Sequence, residues 1–179
     1  MSVLDNKGLI HVYCGDGKGK TTASLGLSIR AAGSGMEVMI LQFLKGRKSS
    51  ELDILNNIPN ITVLRCDEVT AFSFCMTEKE KEISRRINTE NLKTGIELAE
   101  SGKCDLLVLD EVISAYDTNL IDRQLLEKLV QHKPEHLELV LTGRNPQQWM
   151  IDGADYVSEI KKVKHPFDKG IKARKGIEK

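Results

Sequence analysis

Long apolar runs are missing from this chain of 179 residues. No stretch reaches the roughly 18 apolar residues that a membrane-spanning helix needs. The opening MSVLDNKG is not followed by a secretory-type apolar core. Cysteine is scarce: four residues, at 14, 66, 75 and 104, with no CxxC pair and no zinc-finger spacing. That excludes a disulfide framework and a structural zinc module, and points to reduced thiols in the cytoplasm. An excess of one charge is also absent. Lysine plus arginine number 26 and aspartate plus glutamate number 26, so there is no global pull toward nucleic acid or an anionic membrane. The one local imbalance lies at 161–179, with eight basic residues against two acidic ones. Internal repeats and low-complexity linkers are absent too. A chain of this length reads as one domain, 1–179, with a basic C-terminal tail over about 161–179.

What is present is alternation. Apolar, β-rich runs at Gly8–Cys14, Val38–Phe43, Ile61–Cys66, Cys104–Leu109, Leu137–Leu141 and Tyr156–Ile160 predict about six strands. Helical patterns separate them: Lys20–Ala32, apolar around most of its circumference and therefore expected to be mostly buried; a short one near Ser49–Asn57; Thr77–Gly102, opened by Thr77 with Glu80 three residues on, a capping-box signature; and one capped by Asp122. Strands that alternate with helices and are apolar throughout imply an α/β fold with a largely parallel central sheet.

The stretch GDGKGKTT at 15–22 lies between the first strand and the first helix. This is the context of a P-loop. A helix start offers unpaired N–H groups and the positive end of the dipole to an anion. Gly15, Gly17 and Gly19 let the backbone curl around phosphates without side-chain clash. Asp16 and Lys18 complete the loop. Lys20 reaches along the phosphates, Thr21 offers its hydroxyl to magnesium, and Thr22 is placed for a phosphate contact. The strict pattern has glycine six residues before the lysine, where this chain has Cys14.

The fourth strand ends in Asp110 and Glu111, as a Walker B strand does. Ligands sit beyond the carboxyl ends of strands in open α/β sheets, so Asp110 and Glu111, with Thr21, are candidate ligands for magnesium or manganese. Arg144, in the TGR after the fifth strand, suits phosphate oxygens. Arg30 could reach ribose or base, or form an ion pair. Lys45 and Gly46 follow the second strand and face the site edge. Phe72 and Phe74 stand in a polar, turn-rich segment, where they could line a flat pocket or plug the core. His165 lacks partners at metal-ligand spacing. The tail, with few apolar residues, lies over the surface, and its charge permits closure over triphosphate, contact with an anionic substrate, or nucleic-acid binding. No lid is evident. The class is a P-loop NTPase of the RecA-like type, and these residues alone leave hydrolysis, switching, phosphoryl transfer and attack at the ribose carbon open.

Over nearly the whole chain the sequence resembles the P-loop ATP:corrinoid adenosyltransferases. The resemblance is carried by GLIHVYCGDGKGKTTASLGLSIRAAG at 8–33, QFLKG at 42–46, LLVLDE at 106–111, PEHLELVLTGRNP at 134–146 and KHPFDKGIKARKGIE at 164–178. It implies transfer of the 5′-deoxyadenosyl group of ATP to Co(I) of a reduced corrinoid (cobalamin, cobinamide or cobyrinic acid a,c-diamide), with release of triphosphate. It also implies a nucleotide inverted relative to the hydrolases, so that the ribose 5′ carbon is exposed. Lys20, Thr21, Thr22 and the glycines match the phosphate-binding residues; Thr21 and Glu111 match the metal pair; Arg144 matches the phosphate-facing arginine. Lys20, Arg144 and Glu111 are thereby the catalytic candidates. Phe72 and Phe74 fall beside the corrinoid, where they would help displace its lower axial ligand. A flavoprotein reductase and a homodimer are further implications; nucleic acid and membrane are not. Two positions depart from the family pattern: Phe74 stands for the usual tryptophan, and Asp16 for a common asparagine whose added charge Lys18 would offset. The competing reading is a RecA-like ATP hydrolase or switch protein, which would release phosphate and ADP.

Overall fold

The computed structural model describes residues 7–44, 49–69 and 75–178. Six strands form one sheet: β1 (Ile10–Cys14), β2 (Val38–Gln42), β3 (Ile61–Arg65), β4 (Leu106–Asp110), β5 (Glu138–Thr142) and β6 (Tyr156–Glu159), in the order β3-β2-β4-β5-β1-β6. Every neighbouring pair is parallel. The helices are α1 (Lys20–Gly33), α2 (Leu52–Leu55), α3 (Glu78–Glu100), α4 (Val112–Asp117), α5 (Arg123–Gln131) and α6 (Gln148–Asp152), followed by a 3-10 turn at Pro166–Lys169.

Strand side chains alternate between two cores. Val38, Ile40, Leu106, Val108 and Val140 pack with α1 and with Leu55 of α2. Met39, Leu41, Leu107, Leu109, Leu139 and Leu141 pack on the other face with Leu92 and Ala99 of α3, with α4 and α5, and with Met150 of α6. Both faces of the inner strands are therefore covered, as the continuous apolar runs require. Each fully buried leucine or isoleucine adds roughly 1.5–3 kcal/mol of transfer free energy. The capping box at Thr77 is present, with Thr77 Oγ1 accepting from Glu80 N–H and the Glu80 carboxylate from Thr77 N–H. Asp122 caps α5 through Leu125 N–H.

Helix α1 differs from its expected placement. Its buried face holds Lys20, Ser24, Ser28, Ala31 and Ala32, while Ile29 is 51% exposed. Small side chains let the helix sit close to the sheet, and the serine hydroxyls are satisfied by their own helix, Ser24 donating to Thr21 O and Ser28 to Ser24 O. Ile29 is thus left on the outer flank, while Leu25 and Leu27 pack half-buried against the core. The short helix expected near Ser49–Asn57 contracts to α2, and α4 and α6 are additional.

Candidate functional site

The carboxyl ends of β1, β4 and β5 meet at the start of α1. Asp110, the last residue of β4, is fully buried. Its Oδ1 accepts from the Thr21 hydroxyl at 2.9 Å and from the Thr142 hydroxyl at 2.8 Å. Thr142 Oγ1 also accepts from Glu111 N–H at 2.9 Å. Glu111 is held in the left-handed region, φ 63° and ψ 20°, a conformation that costs a non-glycine residue about 1 kcal/mol or more. Its carboxylate accepts from the Ser114 hydroxyl at 2.9 Å. One threonine at the end of β5 therefore fixes both acidic positions. Neither Thr142 nor Ser114 was marked by sequence pattern.

Helix α1 starts at Lys20 with no side-chain cap at Gly19, whose φ is 131°, so its first N–H groups lack intrahelical acceptors. Lys20 is 8% exposed and lies within the loop, Nζ donating to Gly15 O at 2.7 Å and Gly17 O at 2.9 Å. Two of the loop glycines also meet remote backbone. Gly15 N–H goes to Arg144 O and Gly17 N–H to Ile160 O, at 3.0 and 2.8 Å. A Cβ on Gly15 or Gly17 would lie 2.4 or 2.7 Å from Ile160 O. These two positions are glycine because the chain leaving β6 packs directly on the loop. The Gly17 N–H is therefore engaged by the tail.

Asp16 was expected to need Lys18 as its charge partner. Instead its Oδ1 accepts from Lys162 N–H at 2.8 Å. That hydrogen bond, ahead of the positive charges of Lys162 and Arg144, holds the carboxyl below its ordinary range. Cys14 is buried at the strand end, and burial first of all pushes its thiol up, which argues against a nucleophilic role.

A cavity of about 1000 Å³ opens over this constellation. Among its lining residues are Asp16, Gly17, Lys18, Gly19, Lys20, Thr21, Thr22, Glu111 and Arg144. Asp110 does not line it and acts from beneath, through Thr21. Gly15 and Arg30 do not line it either; Arg30 is exposed on α1. Gln42, buried at the end of β2 and in register with Asp110, leaves its side-chain carbonyl without a partner among the described residues. Phe72, Phe74, Lys45 and Gly46 lie outside the described residues. His165 caps the 3-10 turn by accepting from Phe167 N–H at 3.1 Å.

The donor set suits magnesium: a threonine hydroxyl and two carboxylates, all hard oxygen ligands. Among the described residues no cluster of three or more His, Cys, Asp or Glu forms a cage of its own.

A family model described as ATP:corrinoid adenosyltransferase BtuR/CobO/CobP matches residues 6–178. The chain belongs to this family. The corrinoid adenosyltransferase of Pseudomonas aeruginosa is 32% identical over 181 residues, covering 97% of this chain and 85% of that protein. The corrinoid adenosyltransferase CobA of Salmonella typhimurium is 31% identical over 175 residues, covering 97% and 87%. In structure the chain is similar to a KaiC-like protein from the hyperthermophilic archaeon Pyrococcus horikoshii, with a TM-score of 0.53, 16% identity, and coverage of 87% and 73%. That likeness, at low identity, concerns the fold alone. No helix among the described residues is long and apolar enough to cross a membrane.

Proposed function

We propose that this adenosyltransferase family member transfers the 5′-deoxyadenosyl group of ATP to Co(I) of a reduced corrinoid and releases intact triphosphate. The observation that carries the reading is the Thr21–Asp110–Thr142–Glu111 network set under an uncapped helix start in a chain of this family. Lys18 to Thr22 hold the triphosphate. Lys20 exchanges the carbonyls of Gly15 and Gly17 for phosphate oxygens, and Arg144 approaches from the end of β5. Thr21 and Glu111 would hold magnesium or manganese, with Asp110 beneath reaching the ion through the Thr21 hydroxyl or a water; the ion would supply positive charge against the charge growing on the leaving group.

The electron balance is simple. The cobalt lone pair forms the bond to C5′, the C5′–O bond breaks, and its electron pair leaves on the triphosphate. Cationic groups placed where that charge develops lower the barrier. The fold supplies alignment of cobalt with carbon. No general base is required, because Co(I) carries no proton. Phe72 and Phe74 serve the corrinoid side. A flavoprotein reductase, a homodimer and a cytoplasmic setting complete the proposal.

The test is to mix the protein with ATP, magnesium and a chemically reduced corrinoid and follow the visible spectrum. An ATP-dependent cobalt–carbon spectrum supports the reading. ADP and orthophosphate with the corrinoid unchanged would replace it by a hydrolase. Phe74→Ala is expected to slow corrinoid adenosylation more than it weakens ATP binding; equal losses would remove that residue from the corrinoid side.

A further inference from the structure

Thr142 and Asp110 are fully buried and do not line the cavity over the phosphate loop, whereas Thr21 and Glu111 do. Hydrogen bonds nevertheless join all of these residues, and the direction of each bond can be read. Glu111 N–H can only donate, so Thr142 Oγ1 accepts from it at 2.9 Å. The single hydroxyl proton of Thr142 then goes to Asp110 Oδ1 at 2.8 Å. The same carboxylate oxygen takes the Thr21 proton at 2.9 Å. A hydroxyl has one proton and two lone pairs. With its proton committed to Asp110, Thr21 meets the cavity with oxygen lone pairs, the form in which a hard cation takes an oxygen ligand.

The turn after β4 is fixed at the same point. Glu111 sits in the left-handed region, φ 63° and ψ 20°, which an L-residue adopts only at a cost. The bond from its N–H to Thr142 helps to hold it there. Close packing reinforces that bond. A Cβ on Gly143 would lie 2.4 Å from Ile113 Cβ, so the chain leaving β5 rests directly on the first turn of α4. The Glu111 carboxylate is steadied in turn by Ser114, whose hydroxyl donates to Oε2 at 2.9 Å. A carboxylate has two oxygens, so one can be held by a hydroxyl while the other meets a cation.

We propose that Thr142 is the positioning residue of the cation site. Its hydroxyl sets the Thr21 oxygen through Asp110 on one side and the Glu111 turn through a backbone N–H on the other. It does so from beneath, without lining the cavity itself. This rests on the reading of Thr21 and Glu111 as the cation-holding pair, and it names the residue that sets one against the other. The role belongs to the hydroxyl. Valine fills nearly the volume of threonine but neither accepts from Glu111 nor donates to Asp110. Serine keeps both bonds and loses only a methyl group.

The test compares the parent with Thr142→Val and Thr142→Ser. Electron paramagnetic resonance measures manganese binding in the presence of ATP, calorimetry measures ATP binding in a chelator, and a melt gives the thermal midpoint. Thr142→Val is expected to weaken manganese by about ten-fold or more, the usual result of removing a group that orients a metal ligand. ATP in chelator should stay within about two-fold, a change too small to involve the phosphate loop. Thr142→Ser should bind manganese like the parent. Ser114→Ala should weaken manganese less than Thr142→Val, because it releases one carboxylate oxygen and leaves the turn intact. Thr142→Ala serves in place of the valine variant if that chain does not fold. A Thr142→Val protein that melts earlier yet binds manganese like the parent would reduce Thr142 to a structural part. Equal losses in Thr142→Val and Thr142→Ser would take the role away from the hydroxyl. A parent chain that binds ATP but no manganese would remove the cation reading and this proposal together. Manganese and ATP binding without adenosyl transfer would remove the proposed reaction and leave this proposal standing.

Discussion

The centre of the sheet and its β6 edge use their strand ends in opposite ways. At the centre, β4 and β5 end in Asp110 and Thr142, both fully buried and bonded to one another and to Thr21. At the edge, all four residues of β6 are exposed, and the chain beyond it crosses the phosphate loop held mainly by backbone groups. The centre is built for fixed charge placement, where a misplaced oxygen would cost rate. The edge lays the C-terminal segment across the phosphate loop through remote hydrogen bonds. The same loop, residues 15–22, joins the two.

Five substitutions or titrations sharpen this contrast. The largest effect belongs to Lys20→Ala, which removes the buried cation of the loop. Turnover should fall by about 100- to 1000-fold, measured as the initial rate of corrinoid adenosylation. A loss of less than about ten-fold would mean that the phosphate end does not carry the rate enhancement. Next come paired changes in the two regions. Thr142→Ala leaves Asp110 and Glu111 N–H each short of a partner in a buried setting, at a cost of about 1–3 kcal/mol. It should shift the urea midpoint of the whole protein. Gly17→Ala places a Cβ 2.7 Å from Ile160 O. It should displace the tail, raising its cleavage by trypsin while the urea midpoint moves less than for Thr142→Ala. The reverse ranking would dissolve the distinction between a stability-bearing centre and a suspended edge.

The thiols give a smaller effect. Burial pushes Cys104 up to about 11, while Cys75 is exposed. At mildly alkaline pH a thiol reagent should therefore label Cys75 in the native protein and reach Cys104 only on unfolding. The sign of the linkage follows. Cys104 stays protonated in the folded chain when the unfolded thiol, near 9, has already ionised, so its contribution to stability declines as pH rises from 9 toward 11. The smallest effect concerns the tail. Hydrogen bonds from Arg174 lower the Glu178 carboxyl to about 2 from 4.5. Its contribution is present above 4.5 and is lost as pH falls toward 2. ATP affinity should accordingly show no step attributable to Glu178 between about pH 6 and 8, and a step there that Glu178→Gln abolishes would contradict the assignment.

Much of the centre was legible in sequence because its signals are local. Apolar runs marked every strand to within a few residues. GDGKGKTT after a strand marked the phosphate loop, LVLDE marked the acidic strand end, and Thr77 and Asp122 declared their helices by capping chemistry. The edge was largely illegible because its contacts are remote. Nothing near Gly15 or Gly17 says that Ile160 will lie against them, and nothing near Asp16 points to Lys162. The tail is basic and poor in apolar residues in sequence, yet Phe167, Ile171 and Ile177 line one cavity. Helix α1 misled for a related reason: its apolar circumference suggested burial, but the close packing that its serines and alanines permit decided which face went inward. Thr142 carries no sequence signal, because a threonine at a strand end is ordinary until its bonds to Asp110 and Glu111 are formed.

The central claim is that this loop keeps the three phosphates together while the bond at the ribose carbon breaks. Phosphorus NMR on a single turnover, with ATP and reduced corrinoid at stoichiometric protein, tests it most directly. The account predicts the resonances of intact tripolyphosphate, appearing in step with the adenosylated corrinoid. Orthophosphate with ADP as the first products would contradict it.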